Sequence, residues 1–318
     1  MTTSKNVYVA GHTGMVGSAI TKQLTTKGVP VIGKPHRELD LKDIDAVDMF
    51  FFNNNISKVV IAAATVGGIK DNDKYPVEYL MDNITIAQNL IKKSWEYGVD
   101  KLLFLGSSCI YPRLAAQPIK EEYLLTGPLE PTNQWYAIAK IAAIKMCQAY
   151  RKQFGSNFVT AMPCNLYGVG DTYDPEKSHV IPGLFCKFQH AFENKLPFVE
   201  CWGTGNALRE FLYVSDMAEA AEVVLDGYND AEPINIGSGE EISIRELTGM
   251  IAKIVGYDGE IRWNSDVPDG TPRKLMDNSK IKSLGWKPKI GLESGLRFAY
   301  TDFLIRNSWK SKLKNHLG

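Results

Sequence analysis

Three glycines, Gly11, Gly14 and Gly17, follow an apolar run from Val7 to Ala10 and precede a helical pattern in KNVYVAGHTGMVGSAITKQL. Strand, glycine turn and helix in that order leave few folds open. Glycine at such a turn lets backbone N–H groups approach a pyrophosphate at a helix N-terminus, and the last glycine permits close packing of helix on strand. The string predicts a dinucleotide-binding unit at the start of the chain. Without the strand before it, the same spacing would carry little weight.

The first half continues in the same rhythm. VYVA, a helix from Met15 to Lys27, VPVIG, a helix near Ile44 to Asn53, KVVIAAA, a long helix around Val77 to Tyr97 and KLLFLGSS alternate as in a doubly wound parallel sheet. A helix over about Trp135 to Phe154 then leads to NFVTAMPCNLYG, read as one more strand ending in a polar loop. Beyond Gly168 the pattern loosens into Gly-, Pro- and aromatic-rich stretches, with helices predicted near Pro182 to Glu193, Val214 to Gly227, Ser243 to Val255 and Leu292 to Asn307. The expected fold is α/β: a Rossmann-type domain over residues 1–168 and a smaller, interleaved C-terminal region, 169–318, that mainly builds the substrate pocket. REFLYVSDM and EPINIGSG, near 210–238, read as segments returning to the first domain. Active sites in such sheets collect at the carboxyl ends of strands. Gly11, Ala63, Ser107 and Asn165 all fall at such ends, which predicts that they line one crevice.

Composition narrows the ligand. With 318 residues and 44% hydrophobic content the chain can bury a sizeable core. Lys+Arg and Asp+Glu both number 36, so the formal charge is zero and there is no bulk electrostatic case for nucleic acid or an anionic membrane. The longest apolar runs are strand-sized, and MTTSKN lacks the basic-plus-apolar build of a secretory signal. A soluble, cytoplasmic protein acting on a small ligand is expected. Cys109, Cys147, Cys164, Cys186 and Cys201 are scattered and show no metal-site spacing, so free thiols and no metal are expected.

Tyr136 and Lys140, in WYAIAKIAAIKM, are about one helical turn apart and project from one face. The lysine charge is expected to stabilise tyrosinate and lower a pKa that is ~10 unperturbed. The same pair also fits a core tyrosine with a snorkelling lysine. The glycine turn upstream favours a hydride-transfer site, in which Tyr136 trades a proton with a carbonyl and Ser107 donates to the same oxygen. Cys109 lies two residues after Ser107; if the extended backbone continues, both face one cavity.

GHTGMVGSAI, AAATVGGI, LLFLGSSCIYP, EPTNQWYAIAKIA, NLYG, SHVIP, WGTGNALREFLYVSDMA, NIGSG, PDGTPRKLMD and LGWKP together resemble the extended short-chain dehydrogenase/reductase family over nearly the whole length. The resemblance is closest to its branch of GDP-4-keto-6-deoxy-D-mannose 3,5-epimerase/4-reductases, which form GDP-L-fucose. It implies a Rossmann domain with a smaller substrate domain, a homodimer, NADPH (NADP+) as cofactor and a GDP-sugar as substrate. By the same resemblance Tyr136, Lys140, Ser107, Cys109 and His179 are the catalytic positions. Those facing the cofactor are Gly11, Thr13, Gly14, Met15, Val16, Gly17, His36, Arg37, Asp40, Leu41, Ala63, Leu105, Ser108, Lys140, Pro163, Asn165, Leu166 and His179, while Lys187, Trp202, Arg209 and Asp269 match positions that touch the GDP-sugar. Lys187 stands where relatives often have arginine, which keeps the charge but loses a bidentate fork. Thr13 and His36 stand where NADPH-using relatives commonly have arginine. Lys34, His36 and Arg37 still form a basic cluster, and no carboxylate immediately ends VPVIG to claim both ribose hydroxyls, so NADPH remains the expected cofactor. Asp40 is expected near adenine.

In a 4-ketosugar the carbonyl acidifies the hydrogens on C3 and C5. A thiol with unperturbed pKa ~8.5 and an imidazole with ~6.5, at the resemblance-implied positions Cys109 and His179, are suitable proton carriers there. Spacing alone equally fits a loop histidine beside a helix start at His179, a buried small residue at Cys109 and a turn cap at Asn165. Other functions share parts of the pattern. A sister reductase for another GDP-4-keto sugar, of colitose or heptose type, fits all of it; an NAD-retaining nucleotide-sugar 4-epimerase would not use Cys109. A 4,6-dehydratase wants an acidic pair where SSCIYP stands, and a nonenzymatic dinucleotide sensor normally abandons the tyrosine or the lysine.

Overall fold

Strands of a parallel sheet are covered on both faces and need near-continuous apolar runs, which VYVA, VVI and LLFL supply. A computed structural model describes residues 5–174, 178–267 and 270–314. In chain order it contains β1 (Asn6–Ala10), α1 (Met15–Thr26), β2 (Val31–Ile32), α2 (Ile44–Phe52), β3 (Ile56–Ile61), α3 (Ile69–Lys74), α4 (Pro76–Glu96), β4 (Lys101–Leu105), α5 (Gln134–Phe154) and β5 (Phe158–Pro163). Then come β6 (Asn165–Tyr167), α6 (Val180–Glu193), β7 (Phe198–Trp202), β8 (Leu208–Tyr213), α7 (Val214–Gly227) and β9 (Ile234–Ile236). The last elements are β10 (Glu241–Ser243), α8 (Ile244–Val255), β11 (Glu260–Asn264), β12 (Arg273–Lys274), α9 (Ser279–Ser283) and α10 (Leu292–Lys314).

Six parallel strands form the main sheet in the order β2-β1-β3-β4-β5-β9. The order steps outward from β1 in both directions, so loops leaving the carboxyl ends of β1 and β3 to β5 converge above the middle of the sheet. Its core includes Tyr8, Val59, Val60, Leu102, Leu103, Phe104 and Phe158, each at most 2% exposed. A second apolar core gathers Tyr167, Phe185, Phe188, Phe211, Leu247, Ile251 and Leu296 between α6, α8, α10 and β8. Local chemistry sets several helix starts: Asp43 Oδ1 accepts from Asp45 N at 3.0 Å and from Ala46 N at 3.1 Å, and Ser243 with Glu246 forms a capping box on α8.

Two readings of the sequence change. NFVTAMPCNLYG is two strands, not one: Cys164 N donates to the Ile236 carbonyl oxygen at 2.9 Å, after which β6 leaves the main sheet and pairs with β8. The segments expected to return also divide. β9 joins the main sheet beside β5 and α7 packs on α1, whereas β8 stays in a separate sheet with β6, β10 and β12. The edge next to β5 has room for one strand, and β9 takes it. None of the helices among the described residues is long and apolar enough to cross a membrane.

Candidate active site

Helix α5 presents Tyr136 and Lys140 toward the end of β4. Lys140 is 4% exposed, donates from Nζ to the Leu105 carbonyl oxygen at 2.9 Å, and lies 5.5 Å from the Tyr136 ring centroid and 4.7 Å from that of Phe104. Burial lowers its pKa to about 8, while Cys109 opposes that shift. Tyr136 behaves differently from the sequence expectation. Burial drives the phenol pKa well above its ordinary value, and neighbouring Cys109 and Tyr79 add to the rise. The ammonium is turned to the Leu105 carbonyl, and loss of water around the phenol outweighs its charge. Tyr136 is therefore a protonated acid at neutral pH.

The chain after β4 does not stay extended. Ser107 is still extended, but Ser108–Ile110 form one 3₁₀ turn, and Ser107 Oγ accepts from Cys109 N at 3.4 Å. Cys109 is therefore not placed beside Ser107 by strand alternation. The turn nonetheless keeps Cys109 within electrostatic reach of Tyr136 and Lys140. Its thiol is 8% exposed; burial raises its pKa, and Lys274, the Ser107 hydroxyl and Lys140 pull in the opposite direction.

The glycine turn is built for close approach. Gly11 has φ +83°, and a Cβ there would come within 2.7 Å of Ala63 N, so the ends of β1 and β3 nearly touch. Gly14 N donates to the Gly11 carbonyl oxygen at 3.0 Å, and a Cβ on Gly17 would collide with that same oxygen. Thr13 and Gly14 are exposed at the start of α1, with Met15 and Val16 in its first turn. Past β2, Lys34 pairs with Glu38 at 3.0 Å, Arg37 lies 3.9 Å from Glu38, and His36 lies 3.9 Å from Asp40, all largely open to solvent. Asp40 also accepts from Lys42 N at 2.9 Å, and the Leu41 carbonyl accepts from Asn89 Nδ2 at 3.0 Å.

Pro163 ends β5 opposite Ile236, while Asn165 and Leu166 open β6, where Asn165 Nδ2 donates to the Glu210 carbonyl oxygen at 2.8 Å. His179 is the N-cap of α6, on the loop that leaves the carboxyl end of β6. Its surface is open to solvent, yet surrounding atoms crowd the ring, and that partial desolvation lowers its pKa. Lys187 Nζ sits 4.5 Å from the Trp202 ring centroid and donates to the Glu200 carbonyl at 3.2 Å, which brings two of the expected substrate residues together. Arg209, on β8, pairs in register with Lys274 on β12. Asp269 lies outside the described residues.

Residues 7–237 match the family model described as the NAD dependent epimerase/dehydratase family. The chain belongs to that family. It is 51% identical to "GDP-L-fucose synthase 1" of Arabidopsis thaliana, across 96% of this chain and 94% of that one. It is 50% identical to "GDP-L-fucose synthase" of Sinorhizobium fredii, across 94% and 96%. A solved GDP-L-fucose synthetase from Naegleria fowleri, bound to NADP, superposes with a TM-score of 0.88 at 26% identity over 97% of this chain and 96% of that one.

The residues of this epimerase/dehydratase fit a dinucleotide. A Cβ on Gly14 would meet only the Gly11 carbonyl oxygen, at an ordinary 3.5 Å, so the start of α1 is open where Gly11 and Gly17 are closed. His12, which the sequence reading passed over, packs its ring on Gly33 and buries an Nδ1 without a partner among the described residues. Tyr79 was also missed. It meets Tyr136 edge-on at 6.5 Å and donates to Asp71 Oδ2 at 2.7 Å, so α3 and α4 brace the Tyr136 ring. Among the described residues no group of three or more His, Cys, Asp or Glu could hold a metal ion.

Proposed function

We propose that this family member converts GDP-4-keto-6-deoxy-D-mannose to GDP-L-fucose by NADPH-dependent 3,5-epimerisation and 4-reduction. The observation that carries the reading is the convergence of Ser107, Cys109, Tyr136 and Lys140 at the carboxyl end of β4. Half identity over nearly full length to two proteins named GDP-L-fucose synthase supports it.

On this reading Ser107 and Tyr136 hold the oxygen on C4. Cys109, as thiolate, takes the hydrogen from the carbon beside the carbonyl: the C–H bond breaks, an S–H bond forms, and the electron pair moves to the C4 oxygen as an enolate. Two hydroxyl donors stabilise that charge. His179 in its protonated form, a stronger acid for its lowered pKa, returns a proton from the other face of the ring, forming a C–H bond and leaving neutral imidazole; the thiol then gives its proton to solvent and the imidazole takes one up before the second centre is inverted. Bound NADPH supplies hydride to C4. Tyr136 then gives its proton to the C4 oxygen, a task suited to a phenol that burial keeps protonated. Lys140 orients cofactor and tyrosine, the Gly11–Gly17 turn with α1 takes the pyrophosphate, and Arg37 takes the 2′-phosphate. Lys187, Trp202, Arg209 and Asp269 hold the GDP-sugar.

Residues 169–318 are proposed to supply most of the substrate domain, and the enzyme is proposed to be cytoplasmic and a homodimer. Val77 and Met81 on α4 and Trp135 and Ile138 on α5 are exposed apolar side chains on neighbouring helices, which supports pairing through that face.

Incubating the protein with GDP-4-keto-6-deoxymannose and NADPH, while following the reduced-nicotinamide absorbance and identifying the sugar by NMR, tests the reading. GDP-L-fucose is expected. A sugar reduced at C4 with C3 and C5 unchanged would remove the epimerase half, and unconsumed NADPH would remove both.

A further inference from the structure

We infer that Lys274 is a positioning residue for the acid/base step: its ammonium, across a small cavity from Cys109, stabilises the thiolate that this cysteine must form to act as a base. The inference rests on the proposed role of Cys109 as the epimerising base.

A buried thiol is a poor base unless a cation compensates for its lost hydration. Cys109 and Lys274 line one cavity with Ser108, Glu130, Asn133 and Thr271, a space of about 10 Å³, room for roughly one water. The fold puts Lys274 there: β12 lies beside β8 with Lys274 opposite Arg209, so the lysine reaches the cavity from the sheet that also carries a proposed substrate residue.

The other charges around Cys109 are already engaged. From α5, Lys140 donates to the Leu105 carbonyl oxygen, and Tyr136 is a neutral phenol. Ahead of α5, Glu130 pairs with Arg113 at 2.9 Å. From the end of β4, Ser107 offers only its hydroxyl. Among the described residues the Lys274 ammonium makes no ion pair or hydrogen bond, and Lys274 is the largest charge acting to favour the thiolate. Two further features suit the cavity to this role. Asn133 Oδ1 is buried there without a partner among the described residues, and although burial lowers the Lys274 pKa, Cys109 is the foremost charge opposing that shift.

The test is the pH dependence of iodoacetamide alkylation at the Cys109 peptide, read by mass spectrometry on the full chain without substrate. Lys274→Met, Lys274→Gln and Lys274→Arg are compared with the parent, and alkylation of half-exposed Cys186 reports an intact fold. The Met and Gln variants should move the Cys109 midpoint upward by about one pH unit, hence about tenfold slower labelling at neutral pH, while Arg restores most of the rate. An unmoved midpoint in whichever neutral variant keeps its Cys186 profile would overturn the inference, as would failure of Arg to rescue. Solvent-deuterium exchange at C3 and C5 should slow by a similar factor in the neutral variants and recover at higher pH. If instead Cys109→Ala leaves exchange intact, the cysteine is not the base and its proposed role fails independently of the labelling result.

Discussion

The ammonium of Lys140 donates to the carbonyl oxygen of Leu105 at 2.9 Å, tying α5, which carries Tyr136, to the last residue of the strand that leads into Ser107. This contact fixes where the charge sits and exposes it to desolvation, which lowers its pKa to about 8. A lysine with a depressed pKa is charged below that value and loses its proton above it. NADPH affinity, measured by nicotinamide fluorescence titration, should therefore weaken as pH rises through about 8. Lys140→Met should bind more weakly at neutral pH and show no such limb. A parent titration that is flat from pH 7 to 9 would remove Lys140 from cofactor binding.

Cys109 and Tyr136 act at different stages in the proposed sequence, so single substitutions should separate them. Cys109→Ala should lower C3/C5 solvent-deuterium exchange by at least about 100-fold, the usual scale of general acid–base catalysis, while some reduction of the ketosugar persists. Tyr136→Phe should cut hydride transfer by a comparable factor and leave exchange measurable, because Ser107 still holds the C4 oxygen. Single-turnover oxidation of NADPH alongside NMR of exchange reads both. Equal loss of both stages in both variants would contradict the division.

The glycine turn offers a steric contrast. A Cβ on Gly17 meets the Gly11 carbonyl oxygen head-on, whereas one on Gly14 meets it at an ordinary 3.5 Å. Gly17→Ala should destabilise the protein by about 1–3 kcal/mol, the range for overpacking, and lower the Tm with it. Gly14→Ala should keep the Tm within a degree or two of the parent but weaken NADPH binding, since the added methyl stands where the pyrophosphate would approach. Thermal denaturation paired with cofactor titration checks both halves.

Much of this site was legible in the sequence because its signals are local. Strand, glycine turn and helix at Val7 to Leu24, and the one-turn spacing of Tyr136 and Lys140, depend only on neighbours along the chain. The 3₁₀ turn at Ser108–Ile110 was not visible, since Gly106 alone does not tell a turn from a strand end and the turn is closed by Ser107 and its neighbours. Lys274 and Glu210 escaped for another reason. Glu210 is fully buried because Gly239 N at 2.6 Å, Met276 N at 2.9 Å and Asn278 Nδ2 at 3.3 Å all donate to it, partners that come from far along the chain. A charge that looks solvated in REFLY is in fact the clamp joining β8 to the loops after β9 and β12. The direction of the Tyr136 pKa was misread for the same cause: helix spacing puts a lysine nearby, but only the fold says how much water the phenol loses.

In the proposed function, cofactor choice turns on Arg37, whose side chain is 85% exposed and only loosely engaged, 3.9 Å from Glu38, just past β2. With Thr13 and His36 at positions where arginine would otherwise serve, Arg37 and Lys34 are the cations near the end of β2 proposed to meet the adenosine 2′-phosphate, and Lys34 is held by Glu38 at 3.0 Å. An exposed arginine on a dianionic phosphate contributes about 1.5–3 kcal/mol as a charged hydrogen bond. Arg37→Ala should then raise KM for NADPH by roughly 10- to 100-fold and leave KM for NADH unchanged, with kcat for either cofactor little affected because the nicotinamide end is untouched. Steady-state kinetics with both cofactors checks it. An equal rise for NADH would mean that Arg37 shapes the loop instead of reading the phosphate, and parent kcat/KM for NADH at or above that for NADPH would place the whole cluster outside cofactor selection.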